Sequence, residues 1–350
     1  MIAFITNIPT PQKNYLFKLL YEKRKDIVFI FSHLVSSKRS TWQKYIKDID
    51  FPYEVIESKV IENKFSKDVG SIVIPKKLPN FQKFKKVIIS GNLNLLEIKI
   101  ARKLLKLGIP YIIWMESFNL KEGNIIFAPL RYIFRKFLIS NASIVVCGNS
   151  MSLNHARRLG GKNIVLNYTT FNIYKFQYDK EHKGSFLNLV YVGRLIKMKR
   201  IFDILKAVEN LDNYRLDIIG EGELYSKLRS YSEKRKLNVN FLNNVDYDQM
   251  PQIYKNYDAL ILSSESETFG YVVLEAIMSS VVPVVSAQVG AKDFIREDFH
   301  FKVGDIRALR EKLQRLRDEN LRNELVKYSK NLVFSKATPE IWVEKFSSIL

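Results

Sequence analysis

Short, almost wholly apolar runs recur along the chain, each separated from the next by room for one helix. In the first half they read "IAFITNI", "IVFIF", "KVIIS", "PYIIWM" and "ASIVVCG". Between them "YLFKLLYEK", "NLLEIKIARKLLKLG" and "LRYIFRKFLIS" place apolar residues at helical spacing. Apolar runs without polar alternation predict strands buried on both faces, as in a parallel sheet covered by helices. After the polar stretch "NYTTFNIYKFQYDKEHKGSF", residues 167–186, the grammar repeats: "LNLVYVG", "YRLDIIG", "VNFL", "DALILSS" and "VVPVVSA" alternate with "IFDILKAVENL", "LYSKLRSYSEKR", "MPQIYKNY" and "YVVLEAIMS". At 350 residues the chain also exceeds the roughly 100–200 of one domain. The expectation is an α/β protein of two doubly wound domains, residues 1–170 and 171–337, with "TPEIWVEKFSSIL" forming a last helix over 338–350.

Ligands of doubly wound sheets bind beyond the C-terminal strand ends, so candidate chemistry is sought there. "VYVGRLIKMKR" (190–200) ends a strand with Gly193 and Arg194, followed by Lys199. "LDIIGEGEL" (216–224) ends another with Gly220 and Gly222, residues that let a backbone turn tightly and approach a ligand. "LSSESETFGYVVLEA" (262–276) ends a third, with a helix expected from about Tyr271, so that Glu267 and Phe269-Gly270 precede the helix and Glu275 lies within it. At about 1.5 Å per residue, eight positions separate the two carboxylates by roughly 12 Å or less, the span of a sugar-diphosphate-ribose. Fixed cations and the N–H groups near Phe269 and Gly270 suit a diphosphate. Each carboxylate, an acceptor only, suits vicinal hydroxyls. The set fits a nucleotide sugar.

These residues resemble the retaining glycosyltransferases of the GT-B fold, family 4 type (glycosyl transferases group 1). That family carries a Gly-Arg-(x)n-Lys segment and an E-x7-E motif, usually followed by a Pro-Val strand like "VPVV" here. The resemblance covers most of 186–295, and the first half in outline. It implies two Rossmann-like domains facing a cleft, with the terminal helix crossing back onto the first. By position it assigns Arg194 and Lys199 to the donor diphosphate, Glu267 to the transferred sugar and Glu275 to the ribose. It further implies a front-face reaction on a UDP- or GDP-sugar, with no metal or other cofactor required, in bacterial surface polysaccharide synthesis. The chain departs from the pattern in four places. "NIPTPQKN" replaces a glycine-rich turn, leaving Asn7 and Thr10 as polar groups there; Glu116 follows "PYIIWM" where relatives place a His; Arg200 stands for a Gly; and "SSVVPVV" lacks a Gly before its Pro. Glu116 is accordingly a candidate sugar ligand or base.

Charge adds a partner. Residues 1–174 hold 28 Lys and Arg against 11 Asp and Glu, a balance of +17 in a total of +20. Lys64, Lys67, Lys76, Lys77, Lys83, Lys85 and Lys86 lie beside Phe65, Phe81 and Phe84, a mixture suited to an anionic bilayer surface. No nucleic-acid module is recognised, so nucleic acid is not an expected partner. No apolar run reaches the roughly 20 residues of a membrane span, and the N-terminus lacks a basic start and a cleavage site. Cys147, the sole cysteine, ends a strand and reads as core. The chain therefore reads as a cytoplasmic protein, peripheral at the inner face of the cell membrane, acting on a lipid-linked or glycan acceptor. Two rivals are a GT-B nucleotide-sugar epimerase, which needs no acceptor, and a non-catalytic binding subunit of the same fold.

Overall fold

A computed structural model of the chain describes residues 1–34, 43–61, 72–90, 95–115 and 128–350. They form two units, Met1–Asn172 with Ala337–Leu350, and Ile173–Lys336.

The first unit is built on strands β1 (Ile2–Thr6), β2 (Ile27–Phe31) and β3 (Tyr53–Val55), a separate antiparallel hairpin β4 (Ser58–Ile61) and β5 (Ile72–Pro75), then β6 (Lys86–Ser90), β7 (Tyr111–Met115), β8 (Ile144–Cys147) and β9 (Ile164–Leu166). The main sheet is parallel, in the order β3-β2-β1-β6-β7-β8-β9. Its helices are α1 (Pro11–Lys23), α2 (Leu95–Lys106), α3 (Ala128–Ser140) and α4 (Ser150–Arg158). Helix α1 starts earlier than the apolar pattern indicates, because Thr10 caps it and Pro11 opens it. Right-handed crossovers put α1 on one face of the sheet and α2, α3 and α4 on the other, since the strand order runs in opposite directions from β1. The two cores agree: Phe4, Phe17, Phe29 and Trp114 pack on one face, and Ile89, Ile100, Leu104, Ile113 and Leu138 on the other.

The second unit contains β10 (Leu187–Val192), β11 (Tyr214–Ile219), β12 (Val239–Leu242), β13 (Ala259–Leu262), β14 (Val282–Ser286) and β15 (His300–Phe301). Its helices are α5 (Ile201–Val208), α6 (Tyr225–Lys234), α7 (Met250–Tyr254), α8 (Tyr271–Met278), α9 (Ile306–Arg315) and α10 (Glu319–Lys336). The sheet is again parallel, ordered β12-β11-β10-β13-β14-β15, the doubly wound arrangement expected from sequence. Both units are Rossmann-like.

Helix α11 (Pro339–Ile349) closes the chain and belongs to the first unit. Trp342 and Phe346 insert beside Trp114 and Phe4, with ring centroids 5.6 Å apart for Trp114–Trp342 and 5.7 Å for Phe4–Phe346. The polar stretch 167–186 is exposed over most of 174–186 but is anchored by buried residues, among them Asn167, Thr169, Thr170, Phe171 and His182. Asn167 donates to the Trp342 carbonyl at 3.0 Å, and His182, buried in the second unit, shares a 3.0 Å hydrogen bond with Asp258.

Candidate functional site

In the second sheet the strand order reverses between β10 and β13, whose parallel C-terminal ends lie side by side. Open α/β sheets bind ligands at such a reversal. The loop after β10 carries Gly193, Arg194 and Lys199; the loop after β13 carries Glu267, Phe269 and Gly270. The reversal joins them: Lys199 and Glu267 form an ion pair whose side chains are only 13% and 17% exposed.

Backbone contacts fix that pair from both sides. Glu265 N–H donates to the Met198 carbonyl at 2.8 Å, and Ser263 Oγ lies 2.9 Å from the carbonyl oxygens of both Lys199 and Arg200. Opposite, Glu267 N–H donates to Gln288 at 3.1 Å, Gly290 N–H to Glu267 at 3.1 Å, and Ala291 N–H to Phe269 at 2.7 Å. Two strand-end loops, those after β10 and β14, thus hold the Glu267 segment. Gly270 then starts α8 at φ 87°, and a Cβ there would meet Glu267 Cγ at 3.2 Å and Val289 Cγ1 at 3.3 Å. The positive φ favours glycine, and the two close side chains leave little room for more. The Phe269 ring is buried against Tyr271 and Phe294, leaving its role as an anchor for the turn.

Arg194 is exposed, and its carbonyl accepts a 2.9 Å hydrogen bond from Tyr191 Oη. Burial, with the Glu267 charge, pushes the Tyr191 hydroxyl well above its ordinary range against the opposing pull of Arg194. Tyr191 is therefore a neutral donor that braces the turn. At Gly220 and Gly222 the space that a side chain would fill is taken by backbone of the β10 turn. A Cβ on Gly220 would lie 2.1 Å from the Gly193 carbonyl oxygen, and one on Gly222 would lie 2.4 Å from that of Leu195. Protein backbone fills their bare faces. Leu195 N–H donates to Glu221 at 2.8 Å, so these glycines let the β11 turn lock the Arg194 turn in place.

Glu275 is held elsewhere, 4% exposed on α8, where it accepts a 3.1 Å hydrogen bond from Tyr254 Oη of α7. Burial lifts its carboxyl from the ordinary 4.5 to about 7, while the Tyr254 hydrogen bond and the charge of Lys175 pull the other way. Lys175 itself pairs with Asp248 and lies 4.9 Å from the centre of the Tyr247 ring. Arg200, the residue standing for a family glycine, adopts φ 50°, a left-handed conformation. Its guanidinium is held by Asp203 at 2.6 Å.

In the first unit Glu116 lies outside the described residues. Thr10 is occupied in capping α1, accepting from Lys13 N–H at 3.1 Å. Asn7 Oδ1 and Thr6 Oγ1 accept from Lys13 Nζ at 3.0 and 3.1 Å. This buried lysine at the end of β1, 5.7 Å from the Trp114 ring centre, was passed over by sequence reasoning, as were Tyr254 and Ser263. The signal for Lys13 is a cation on the first turn of a helix that follows a strand end. Cys147 is fully buried, which pushes its thiol up to about 12.

Residues 173–332 match the family described as Glycosyl transferases group 1. Among curated proteins, the chain is 31% identical over 198 residues to the GalNAc-alpha-(1->4)-GalNAc-alpha-(1->3)-diNAcBac-PP-undecaprenol alpha-1,4-N-acetyl-D-galactosaminyltransferase of Campylobacter jejuni, covering 54% of each chain. It is 34% identical over 146 residues to the sulfoquinovosyl transferase SQD2 of Arabidopsis thaliana, covering 39% of this chain and 28% of that one. The matched region thus spans about half or less of these relatives. Among solved structures, HepE of Anabaena in complex with UDP has the same fold, with a TM-score of 0.77 over 99% of this chain and 98% of that one at 13% identity. Lys199, Glu267 and Gly270 thus meet at the sheet reversal of a unit whose residues 173–332 match the glycosyl transferases group 1 family, and the chain as a whole has the GT-B fold.

Proposed function

We propose that this chain is a retaining glycosyltransferase that moves a sugar from a UDP- or GDP-sugar to a lipid-linked or glycan acceptor. Its place is the inner face of the cell membrane, in surface polysaccharide or glycolipid assembly. The observation that carries this reading is the Lys199–Glu267 ion pair at the sheet reversal, beside the glycine-led start of α8. An ammonium has three donors, so Lys199 can keep one on Glu267 and turn others to phosphate oxygens. Arg194 faces the same diphosphate, Glu267 accepts from a hydroxyl of the transferred sugar, and Glu275 accepts from the ribose. One relative, named for an undecaprenol-linked glycan acceptor, and a structure of this fold solved with UDP support the choice of acceptor and donor.

In the reaction the bond from the anomeric carbon to the diphosphate oxygen breaks, and its electron pair leaves with the diphosphate. Arg194 and Lys199 stabilise the charge that builds there, a contribution that rises toward the transition state. The acceptor oxygen then bonds to the anomeric carbon on the face the diphosphate left, and its proton passes to the departing phosphate oxygen. Retention follows. The test is a thermal-shift screen of nucleoside diphosphates and their sugars, since a ligand of the native state alone raises its stability. Turnover of the stabilising donor is then measured with and without acceptor. Loss of donor only with acceptor supports the transferase. An altered donor without acceptor would make it an epimerase, and binding without turnover a binding subunit.

A further inference from the structure

Of the seven lysines conspicuous in the sequence, three meet acids in the fold. Lys76 meets Glu57 at 2.8 Å, Lys83 meets Glu54 at 2.8 Å and Lys85 meets Asp26 at 3.4 Å. The face of the first unit covered by α2, α3 and α4 is different. From 95 to 115 and from 128 to 172 there are ten Lys and Arg and one acid, Glu97, which is buried. Along α2 the outward positions Leu95, Lys99, Arg102 and Lys106 follow one another at helical spacing, and all are exposed. On the neighbouring α3, Leu130, Tyr132 and Ile133 are 46%, 41% and 59% exposed beside Lys136. Five of the fifteen exposed large apolar side chains among the described residues fall on these two helices. The apolar and basic groups are concentrated together.

From this we infer that the α2–α3 face docks on an anionic lipid bilayer, with Leu130 and Ile133 entering the acyl boundary and Lys99, Arg102, Lys106 and Lys136 meeting lipid phosphates. The inference rests on the membrane-surface reading above and locates it. Amphipathic helices bind an interface through this combination of apolar area and cations. A second copy seated symmetrically on the same face would set cations against cations, which disfavours self-association. Nucleic acid would satisfy the cations but leave Leu130 and Ile133 without a role.

The test is co-sedimentation with vesicles of phosphatidylcholine, alone or mixed with phosphatidylglycerol. The wild-type chain should bind the mixed vesicles and release as salt is added. Lys99→Gln, Arg102→Gln and Lys106→Gln together should weaken binding about a hundredfold, each cation near the surface contributing about fivefold. Leu130→Ser with Ile133→Ser should also weaken it, whereas Lys76→Gln with Lys83→Gln should have little effect. Ile133→Trp should show a blue-shifted emission on mixed vesicles only. Circular dichroism and thermal unfolding establish that each variant is folded. Failure of the wild-type chain to bind mixed vesicles overturns the membrane reading and this inference together. Wild-type binding that the α2 and α3 variants leave intact overturns the location alone. Concentration-dependent dimerisation abolished by Leu130→Ser with Ile133→Ser would make the occupant a second copy, against the inference.

Discussion

Replacing Glu275 by Gln should move stability and nucleotide affinity in opposite directions. In the folded chain this carboxyl is buried against Tyr254 and its pKa is raised from 4.5 to about 7, whereas in the unfolded chain it titrates near 4.5. Between those values the folded state binds a proton that the unfolded state has lost, so stability falls as pH rises. The favourable contribution is fully present below 4.5 and gone once the pH passes the folded value. At about 1.4 kcal/mol per pH unit, the cost above pH 7 is about 3 kcal/mol. Glutamine keeps the shape, can still accept from Tyr254 and carries no charge to desolvate. Urea unfolding of the second unit should therefore show the Gln variant close to wild type at about pH 5 and more stable by up to ~3 kcal/mol at about pH 8. Calorimetric titration with UDP or GDP at the higher pH should show affinity tenfold to a hundredfold weaker, because ribose hydroxyls lose a charged acceptor of roughly 1.5–3 kcal/mol. Stability gained where function is lost is the mark of a strained binding site. If the variant is less stable at both pH values and binds nucleotide as the wild type does, Glu275 is a structural partner of Tyr254 and its ribose assignment is refuted.

Other outcomes follow from the same geometry. Lys199→Ala and Arg194→Ala should each weaken nucleoside diphosphate binding by roughly tenfold to a hundredfold, while Glu267→Gln should lower kcat more than it changes donor affinity; steady-state kinetics with a donor found by thermal shift separates the two. Gly220→Ala should cost at least ~2 kcal/mol by chemical denaturation, because its Cβ would lie 2.1 Å from a backbone oxygen. Gly184→Ala, at φ 72° with nothing within 4 Å, should cost only the conformational ~1 kcal/mol. Trp342→Ala should destabilise the first unit by roughly 3–5 kcal/mol, since it empties a fully buried site among Trp114 and Phe346.

The second sheet was legible because its central strands are buried on both faces, and burial on both faces leaves a continuous apolar run in any short window. "LNLVYVG" became Leu187–Val192 and "DALILSS" became Ala259–Leu262. Helix α8 began at Tyr271, where the apolar spacing placed it. Edge strands β9 and β15, three and two residues long, gave no such run and escaped notice. Local spacing also brought Glu267, Gly270 and Glu275 to attention, since they share one strand-turn-helix.

What no window contained was the partner of each residue. Lys199 and Glu267 are 68 positions apart and meet because β10 pairs with β13, skipping the two strands between them in sequence. Tyr254 reaches Glu275 for a similar reason, and the burial that shifts the carboxyl belongs to the packing around it rather than to its neighbours in the chain. The glycines of "GEG" announced a tight turn, but only the paired β10 and β11 ends explain why any side chain there collides with backbone. Likewise the net charge was countable from composition, whereas the acids that answer Lys76, Lys83 and Lys85, and the acid-poor surface of α2 and α3, depend on which elements lie side by side. Sequence alone determined the periodic elements and the chemistry they carry, because hydrophobic burial imprints itself locally. Tertiary structure alone decided pairing, burial and charge compensation, because those are properties of strand order and of contacts between distant segments.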